Sequence, residues 1–514
     1  MKLLQSPRVR LLLFALLAMG AVFALQISWD TRYRTASGIP GSFAPFGDEI
    51  RRADGTVDYR ATLNQLLGPP VPVSENAAPV FLKLLCQKEL ADPQLRAAVL
   101  AAVGLSEHEF ATGKEFCDTW DALANSSAFH AFESPWPSNG DGAHREVAAW
   151  LDRWQPQLAQ LRTATELKWY LPLVNPAPEL PLHTDALPAA TAVRHYGWIL
   201  RGSAFRAAAR GDLDSAVTEL ITAFRLGRQL RGSGTLQNLV SIQVNGLAGQ
   251  AATQLIQNYE LGEPQLQRLA AALADEDFSQ LTAPRSLRGE RYQVLDLLQV
   301  ADRGRAFQKL DHFPTPLNRP LFWNSFGSFV DRGRVLERIN LRFDGLSDLA
   351  RANQLQGSAL QAQLKQWDEG FAGDWLPNGT EWLTFLFSPP VRGVKLGELM
   401  CDSFWSGSFI PNTLVRITQE QRLVQLTIAA ERYRCRNGEY PESPELLIPE
   451  FLPELPLDLF AESGSFGYER IPSGFRVFAA ANRPSRLPRW SDLTFEIRVE
   501  RNALSSSKKN STSD

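Results

Sequence analysis

The chain has 514 residues, 44% hydrophobic and 21% charged, and its 53 basic and 56 acidic residues give a formal net charge of -3. That length and apolar content can bury a large core, in roughly two to four domains. The near balance of charge excludes a general field for a polyanion, so no nucleic-acid partner is predicted.

At the N-terminus, Lys2, Arg8 and Arg10 precede an apolar run from Leu11 to Ile27 that is broken only by Gly20 and Gln26. This pattern is an export signal. The run is as long as a signal anchor needs, and the alternative is a cleavable signal peptide cut near Val22 and Ala24. Basic residues before the run favour an inward N-terminus and an exported body. The prediction is therefore residues 1–29 as signal peptide or anchor, in the inner membrane as a single-pass protein, or periplasmic if the signal is cleaved. Residues 30–72 are rich in Gly, Pro and polar side chains and read as an irregular stalk.

A helical body is predicted over 73–375. It opens at PPVPVSENAAPVFLKLL, where Ser74 is placed as N-cap, Pro79 sits early in the helix, and Val80, Phe81, Leu84 and Leu85 form an apolar face. From Glu146 to Tyr170, Trp150, Trp154, Leu158, Leu161 and Leu167 recur at helical spacing, and Pro156 predicts a kink or a break within the segment. Trp120, Trp136, Trp150, Trp154 and Trp169 lack the interleaved basic residues of a stacking groove and read as core and interface anchors. A helix from Thr191 to Arg210, a turn at Gly211 and Asp212, and a stripe of Leu213, Ala216, Val217, Leu220, Ile221 and Phe224 describe a helical hairpin.

The segment AAARGDLDSAVTELITAF resembles a single tetratricopeptide unit in its small residues, Gly211 and Ala216. An ordinary antiparallel helix pair is the alternative. Further helices are predicted from Leu236 to Gln257, Pro264 to Leu273, around Tyr292 to Val300, and Leu346 to Trp367. The prolines of HFPTPLNRP exclude a helix between His312 and Pro320. Residues 376–416 read as a linker.

The last ordered unit is predicted over 417–500. Thr418 and Gln421 have the spacing of a capping box. Leu423, Leu426, Ala430 and Tyr433 form a stripe, and Arg432, Arg434 and Arg436 complement the helix dipole at the C-terminal end. Gly438 fits a left-handed cap, and Ser443 and Pro444 open a short helical turn. Phe466, Tyr468, Phe475 and Val477 alternate about a turn at Pro472, Ser473 and Gly474, and Leu493 to Val499 adds a strand. Residues 501–514, small and polar, are predicted to be a disordered tail.

A helix ending at N-G, a following Y-P and a P-x-D turn before strands resemble the soluble head of the major pseudopilin of type II secretion. Glu75, Asn76, Ala77 and Ala78, together with this terminal arrangement, are also similar to large exported proteins of bacteria such as planctomycetes. The first resemblance implies a small α+β unit and draws attention to Asp458 as a calcium position, against a structural Asp that shapes the turn. It does not extend to polymerisation, because hundreds of residues separate the apolar run from the head and the run lacks the family's acidic residue.

Chemical motifs are few. Cys86, Cys117, Cys401 and Cys435 lack C-x-x-C spacing, which leaves the local pairs Cys86–Cys117 and Cys401–Cys435, other pairings, or free buried thiols. His108, His130, His144, His183, His195 and His312 form no H-E-x-x-H and no pair at metal-binding helical spacing. Glu107, His108 and Glu109 read as a charged surface patch, and Ser233 as a loop residue. Asp212 and Asp214, or Glu276 and Asp277, read as helix-start and solvated charges. No G-x-S-x-G, Walker loop or G-x-G-x-x-G is present.

The sequence therefore predicts a mainly α protein: helical hairpins, including one tetratricopeptide-like unit, followed by a small α+β pseudopilin-like unit. No catalytic, cofactor or metal residue and no cofactor is assigned. The expected function is non-enzymatic binding or assembly by a membrane-anchored extracytoplasmic protein with envelope-protein partners. The alternative is an envelope hydrolase whose site lies between the body and the terminal unit.

Overall fold

The computed structural model describes residues 47–137, 140–174, 187–230, 235–274, 284–302, 332–351, 409–459, 463–479 and 496–501, with a few isolated positions besides. Outside them lie the N-terminal apolar run, the HFPTPLNRP stretch, nearly all of the predicted linker before Phe409, Ser233, Glu276, Asp277, His183, Cys401 and nearly all of the predicted tail. Among the described residues, the chain is mainly helical with one three-stranded antiparallel sheet near its C-terminal end. No described helix is long and apolar enough to cross a membrane.

The entry to the body is more ordered than its composition predicts. Helix α1 (Tyr59–Leu67) starts at Asp58, whose side chain accepts from the Ala61 amide. Tyr59 is fully buried, its ring 5.0 Å from that of Tyr292 in α12 (Pro284–Asp302). The Gln299 side chain, also in α12, accepts from the Val57 amide at 2.9 Å and donates to the Val57 carbonyl at 2.8 Å. A cap, two buried apolar residues and this two-ended clamp outweigh the surrounding glycines and prolines.

Helix α2 (Ala78–Leu85) has Ala77 at its N-cap, and its first amide is taken by the Asn76 side chain rather than by Ser74, which lies in a 3₁₀ turn, Val73–Glu75. Buried Asn76 accepts from the amides of Ala78 and Tyr170 and donates to the Tyr170 carbonyl. The Ala77 amide reaches the Lys168 carbonyl at 2.8 Å, and the Lys168 amide reaches the Glu75 carbonyl at 3.0 Å. Ala77 and Ala78 are completely buried. The E-N-A-A stretch thus acts as a staple: its amide satisfies backbone groups far away in sequence, and its alanines let the chain pass closely.

Around α2 pack α3 (Pro93–Val103), α4 (Glu107–Ala111), α5 (Lys114–Ala124) and α7 (Gln155–Ala164). Helix α6 (Gly142–Arg153) stops before Pro156, and α7 begins at Gln155, so the predicted break is present. Trp120, Trp150 and Trp154 are buried with Phe116 and Phe132 in a set of tilted and edge-on ring contacts 5.3 to 5.5 Å apart. Trp136 and Trp169 pack half-buried at the edge of the same core. Aromatic packing of this kind adds about 0.5 to 1.5 kcal/mol per pair beyond area burial.

The predicted hairpin is α8 (Leu187–Ala209) and α9 (Leu213–Gln229). Gly211 turns the chain at a φ of 81°, and Asp212 caps α9 by accepting from the Ser215 amide. Helix α10 (Thr235–Asn258) packs against both, followed by α11 (Glu263–Ala274) against α9. Arg162 of α7 forks onto buried Glu219 of α9, at 2.9 and 2.5 Å to one carboxylate oxygen. Burial raises the Glu219 pKa, and Arg162 opposes that shift. Helices α12 and α13 (Arg332–Arg351) pair beside α10, so α13 overlaps only the start of the helix predicted from Leu346.

Helix α14 runs from Phe409 to Asn437, which places Thr418 and Gln421 in its interior and removes the predicted capping box. Pro411 falls in the first turn, where the missing N–H costs no helical bond, so the helix begins upstream. Strands β1 (Gly467–Ile471), β2 (Gly474–Phe478) and β3 (Glu496–Glu500) pair in sequence order, with Tyr468 opposite Val477 and Phe475 opposite Val499. Phe475, Val477, Ile497 and Val499 are buried and continue the core of the helical body. Gly438 adopts a φ of 81°, as its predicted cap requires. Cys86, Cys117 and Cys435 are free thiols, so the local Cys86–Cys117 bridge is not formed.

Candidate functional site

Helix α14 lies along α10 and α11, and strand β3 also meets α10. Gly246 and Gly249 face this seam: a Cβ on them would sit 3.9 Å from the Ile417 Cδ1 and 4.0 Å from the Val424 Cγ2. The distal end of the seam is fastened by charge. Arg432 meets Glu263 at 3.1 Å, Arg434 meets Glu260 at 3.2 Å, and Arg436 meets Glu263 at 3.6 Å. The arginines that sequence places on the helix dipole therefore also dock α14 to the body. Glu431, 1% exposed, accepts from the Tyr440 hydroxyl at 2.7 Å and pairs with Arg434 at 3.0 Å and Arg501 at 2.9 Å. Arg501 also donates to the Tyr259 carbonyl at the end of α10.

At the other end the seam opens into a pocket of about 460 Å³. Helix α5 supplies Asp121 and Ala124, with Asn125 just beyond. Phe129 comes from a 3₁₀ turn, Ser127–Phe132, and α8 supplies Arg194, His195 and Trp198. Gln243, Leu247 and Gln250 follow one face of α10, and Arg416, Ile417 and Glu420 come from α14. The volume suits a small organic molecule. Phe129 and Trp198 form an apolar wall, their rings 5.2 Å apart.

The charges in the pocket are unequally matched. Asp121 is paired with Lys88 at 2.6 Å, and Arg416 lies 3.9 Å from Glu420 one helical turn away. Burial raises the Glu420 pKa, with Arg416 opposing. Arg194 is exposed at the pocket wall and pairs with no carboxylate among the described residues. His195 lies beside the Trp120 ring at 5.8 Å. Burial lowers its pKa, the neighbouring Arg194 adds to that shift, and Asp121 opposes it, so the imidazole is neutral at pH 7.

Of the side chains named from sequence, His195 lines the pocket and the following ones fall elsewhere. Asp458 is completely buried, and its carboxylate accepts from the Gln419 amide at 2.6 Å while that amide's oxygen takes the Leu459 N–H. It fastens the P-x-D turn to α14. Ser106 and Glu109 form a capping box on α4, and Glu107, His108 and Glu109 are exposed. Asp212 is a helix cap. Arg194 and His195 on α8 and Glu420 on α14 belong to two helices distant in sequence, so no local spacing groups them. The signal that could have found them is the pair Gln243 and Gln250, polar and seven residues apart on a largely apolar helix.

The architecture defines a mainly helical protein whose terminal helix and small sheet complete the core and whose terminal helix also closes a pocket. No protein family, curated protein or solved structure matches the chain.

Proposed function

We propose that this is a membrane-anchored extracytoplasmic binding protein whose seam pocket takes a small organic anion with an apolar or aromatic part. The observation that carries this reading is the unmatched Arg194 guanidinium beside the Phe129 and Trp198 wall. A guanidinium offers a planar fork to a carboxylate or phosphate, and the aromatic wall takes the apolar part. Amides of Asn125, Gln243 and Gln250 add orienting hydrogen-bond groups.

The anchor, the inner-membrane location and the outward-facing body rest on the basic and apolar pattern of residues 2–27. The pseudopilin-like character of the terminal unit rests on its N-G, Y-P and P-x-D order, and the tetratricopeptide-like character of α8 and α9 on Gly211 and Ala216. In this reading the terminal unit serves binding through its own body, because α14 is docked along α10 and α11. Other envelope proteins would meet surfaces away from that seam.

A hydrolase is the second reading, and neutral His195 near Asp121 favours it, since a neutral imidazole can take a proton from water. Among the described residues, the pocket lining contains no Ser, Thr or Cys nucleophile. A thermal-shift screen of small carboxylates and phosphates separates the readings. Binding predicts stabilisation by a subset that survives recovery unchanged. Conversion of the stabilising compound, abolished by His195→Gln, would establish the hydrolase.

A further inference from the structure

Away from the seam pocket, three side chains separated in sequence converge on one small volume. His130 lies in the 3₁₀ turn, Asp141 is the N-cap of α6, and His144 sits in the first turn of that helix. One ligand atom from each lies within 4.8 Å of the other two. We propose that His130, Asp141 and His144 form a binding site for a divalent transition-metal ion, with zinc the best chemical fit.

The tautomer of His130 is set by its surroundings. Its Nδ1 is 2.7 Å from the Ser127 carbonyl, which can only accept, so Nδ1 carries the proton and Nε2 presents its lone pair. That Nε2 lies 3.7 Å from Asp141 Oδ2. An imidazole whose far nitrogen is tied to a carbonyl is the usual form of an oriented metal ligand. The His144 Nδ1 is 2.8 Å from Asp141 Oδ1. His144 is 6% exposed, and its Nε2 is buried without a hydrogen-bond partner. Metal binding at Nδ1 would place the single imidazole proton on Nε2, so the ring stays neutral.

Asp141 supplies the charge. Its Oδ1 also accepts from the His144 amide at 3.1 Å, which holds the carboxylate toward both rings. Ligand atoms bonded to zinc at about 2.0 to 2.2 Å are separated by a little over 3 Å in a tetrahedron. The two separations are to different oxygens of that carboxylate, so a small turn of the Asp141 side chain, with the 3.7 Å separation closing and the 2.8 Å one opening, brings both nitrogens and the carboxylate to one ion. Two imidazoles and one carboxylate favour zinc, cobalt, nickel or copper over calcium or magnesium. The His130 and Asp141 side chains are 50% and 60% exposed, so an ion can enter from solvent and keep water in the fourth position.

His130 and His144 escape a motif search because they belong to different elements, and Asp141 reads as an ordinary helix cap. The ion would fasten the 3₁₀ turn to the start of α6, next to the half-buried Trp136 ring, which lies 5.2 Å from the His144 ring.

The test is calorimetric titration of Zn²⁺ into the metal-depleted full chain, repeated with His130→Ala, and Co²⁺ absorption on both. His130 is exposed, so its replacement leaves the core intact. The expected result is one Zn²⁺ per chain, a tetrahedral Co²⁺ spectrum, and affinity at least about 10 to 100-fold weaker in the variant, the range that loss of a supporting group alone produces. Absence of binding to the native chain, or equal affinity in both proteins, overturns the proposal. Asp141→Asn, which keeps a capping oxygen, provides the second variant and is expected to show the same loss.

Discussion

The N-terminal half of the helical body and the seam with the terminal unit are built on different physics. Around α2, α5 and α8 the contacts are apolar and aromatic, with Phe81, Trp120, Phe132 and Phe205 almost fully buried. At the seam the apolar core continues through Val424, Ile428 and Phe475, but the flank of α14 carries Arg432, Arg434, Arg436 and Glu431 in ion pairs. Apolar packing is non-directional and fixes that two surfaces meet. Ion pairs with hydrogen-bond geometry fix where one helix sits along another. The pocket lies where the two regimes meet, so α14 must hold its register for Arg416 and Glu420 to face Arg194 and His195.

The largest test of that contrast is Glu431→Ala. Removing the carboxylate leaves Arg434, Arg501 and the Tyr440 hydroxyl without their shared partner, and breaking a buried pair costs about 3–5 kcal/mol. Urea unfolding should show that loss. Cys435, whose Sγ lies 3.7 Å from the Leu261 carbonyl across the seam, should label faster with a thiol reagent. A stability loss under about 1 kcal/mol, typical of an exposed pair, would mean that the seam is held by apolar contact alone.

Within the body, Gly202→Ala measures how tightly the apolar packing is set. A Cβ at Gly202 would lie 2.2 Å from the Phe132 Cδ1, in a ring stack that has little room to move. Overpacking of this kind costs about 1–3 kcal/mol. An unchanged unfolding midpoint would show a looser core than the ring contacts describe.

The smallest expected effect is the pH dependence of His195. Its folded pKa lies below the ordinary value of 6.5, so the unfolded chain takes up the proton first as pH falls. The stability it contributes is present in full above 6.5 and is lost as pH falls through the folded value. Arg194 and Arg416 face it with Asp121 and Glu420, so the net sign comes from burial rather than from one neighbour. In His195→Gln, stability measured across that window should fall less on acidification than in the native chain. An identical profile would remove His195 from the account.

Much of the fold was legible because local signals agreed with tertiary contacts. Pro156 divides α6 from α7, Asp212 and Gly211 turn α8 into α9, and alternation through Phe475 and Val477 gives the sheet. One difference arose where a distant partner took over and one from a local signal. Asn76 took the place expected of Ser74 at the start of α2 because it also satisfies the backbone of Tyr170, whereas the helix through Thr418 begins earlier because Pro411 fits a first turn. The pocket was not legible, since α5, α8, α10 and α14 bring its residues together from positions 121 to 420. Sequence spacing carries information along one helix, whereas this site depends on how four helices and a 3₁₀ turn pack.

The central claim is that body and terminal unit together make one anion-binding pocket. It is tested most directly by calorimetric titration of the most stabilising small carboxylate or phosphate into the native chain, Arg194→Ala and Arg416→Ala. The account predicts binding to the native chain that weakens in both variants, one altered in the body and the other in α14. Binding that survives both substitutions, or no binding by any such anion, would contradict it.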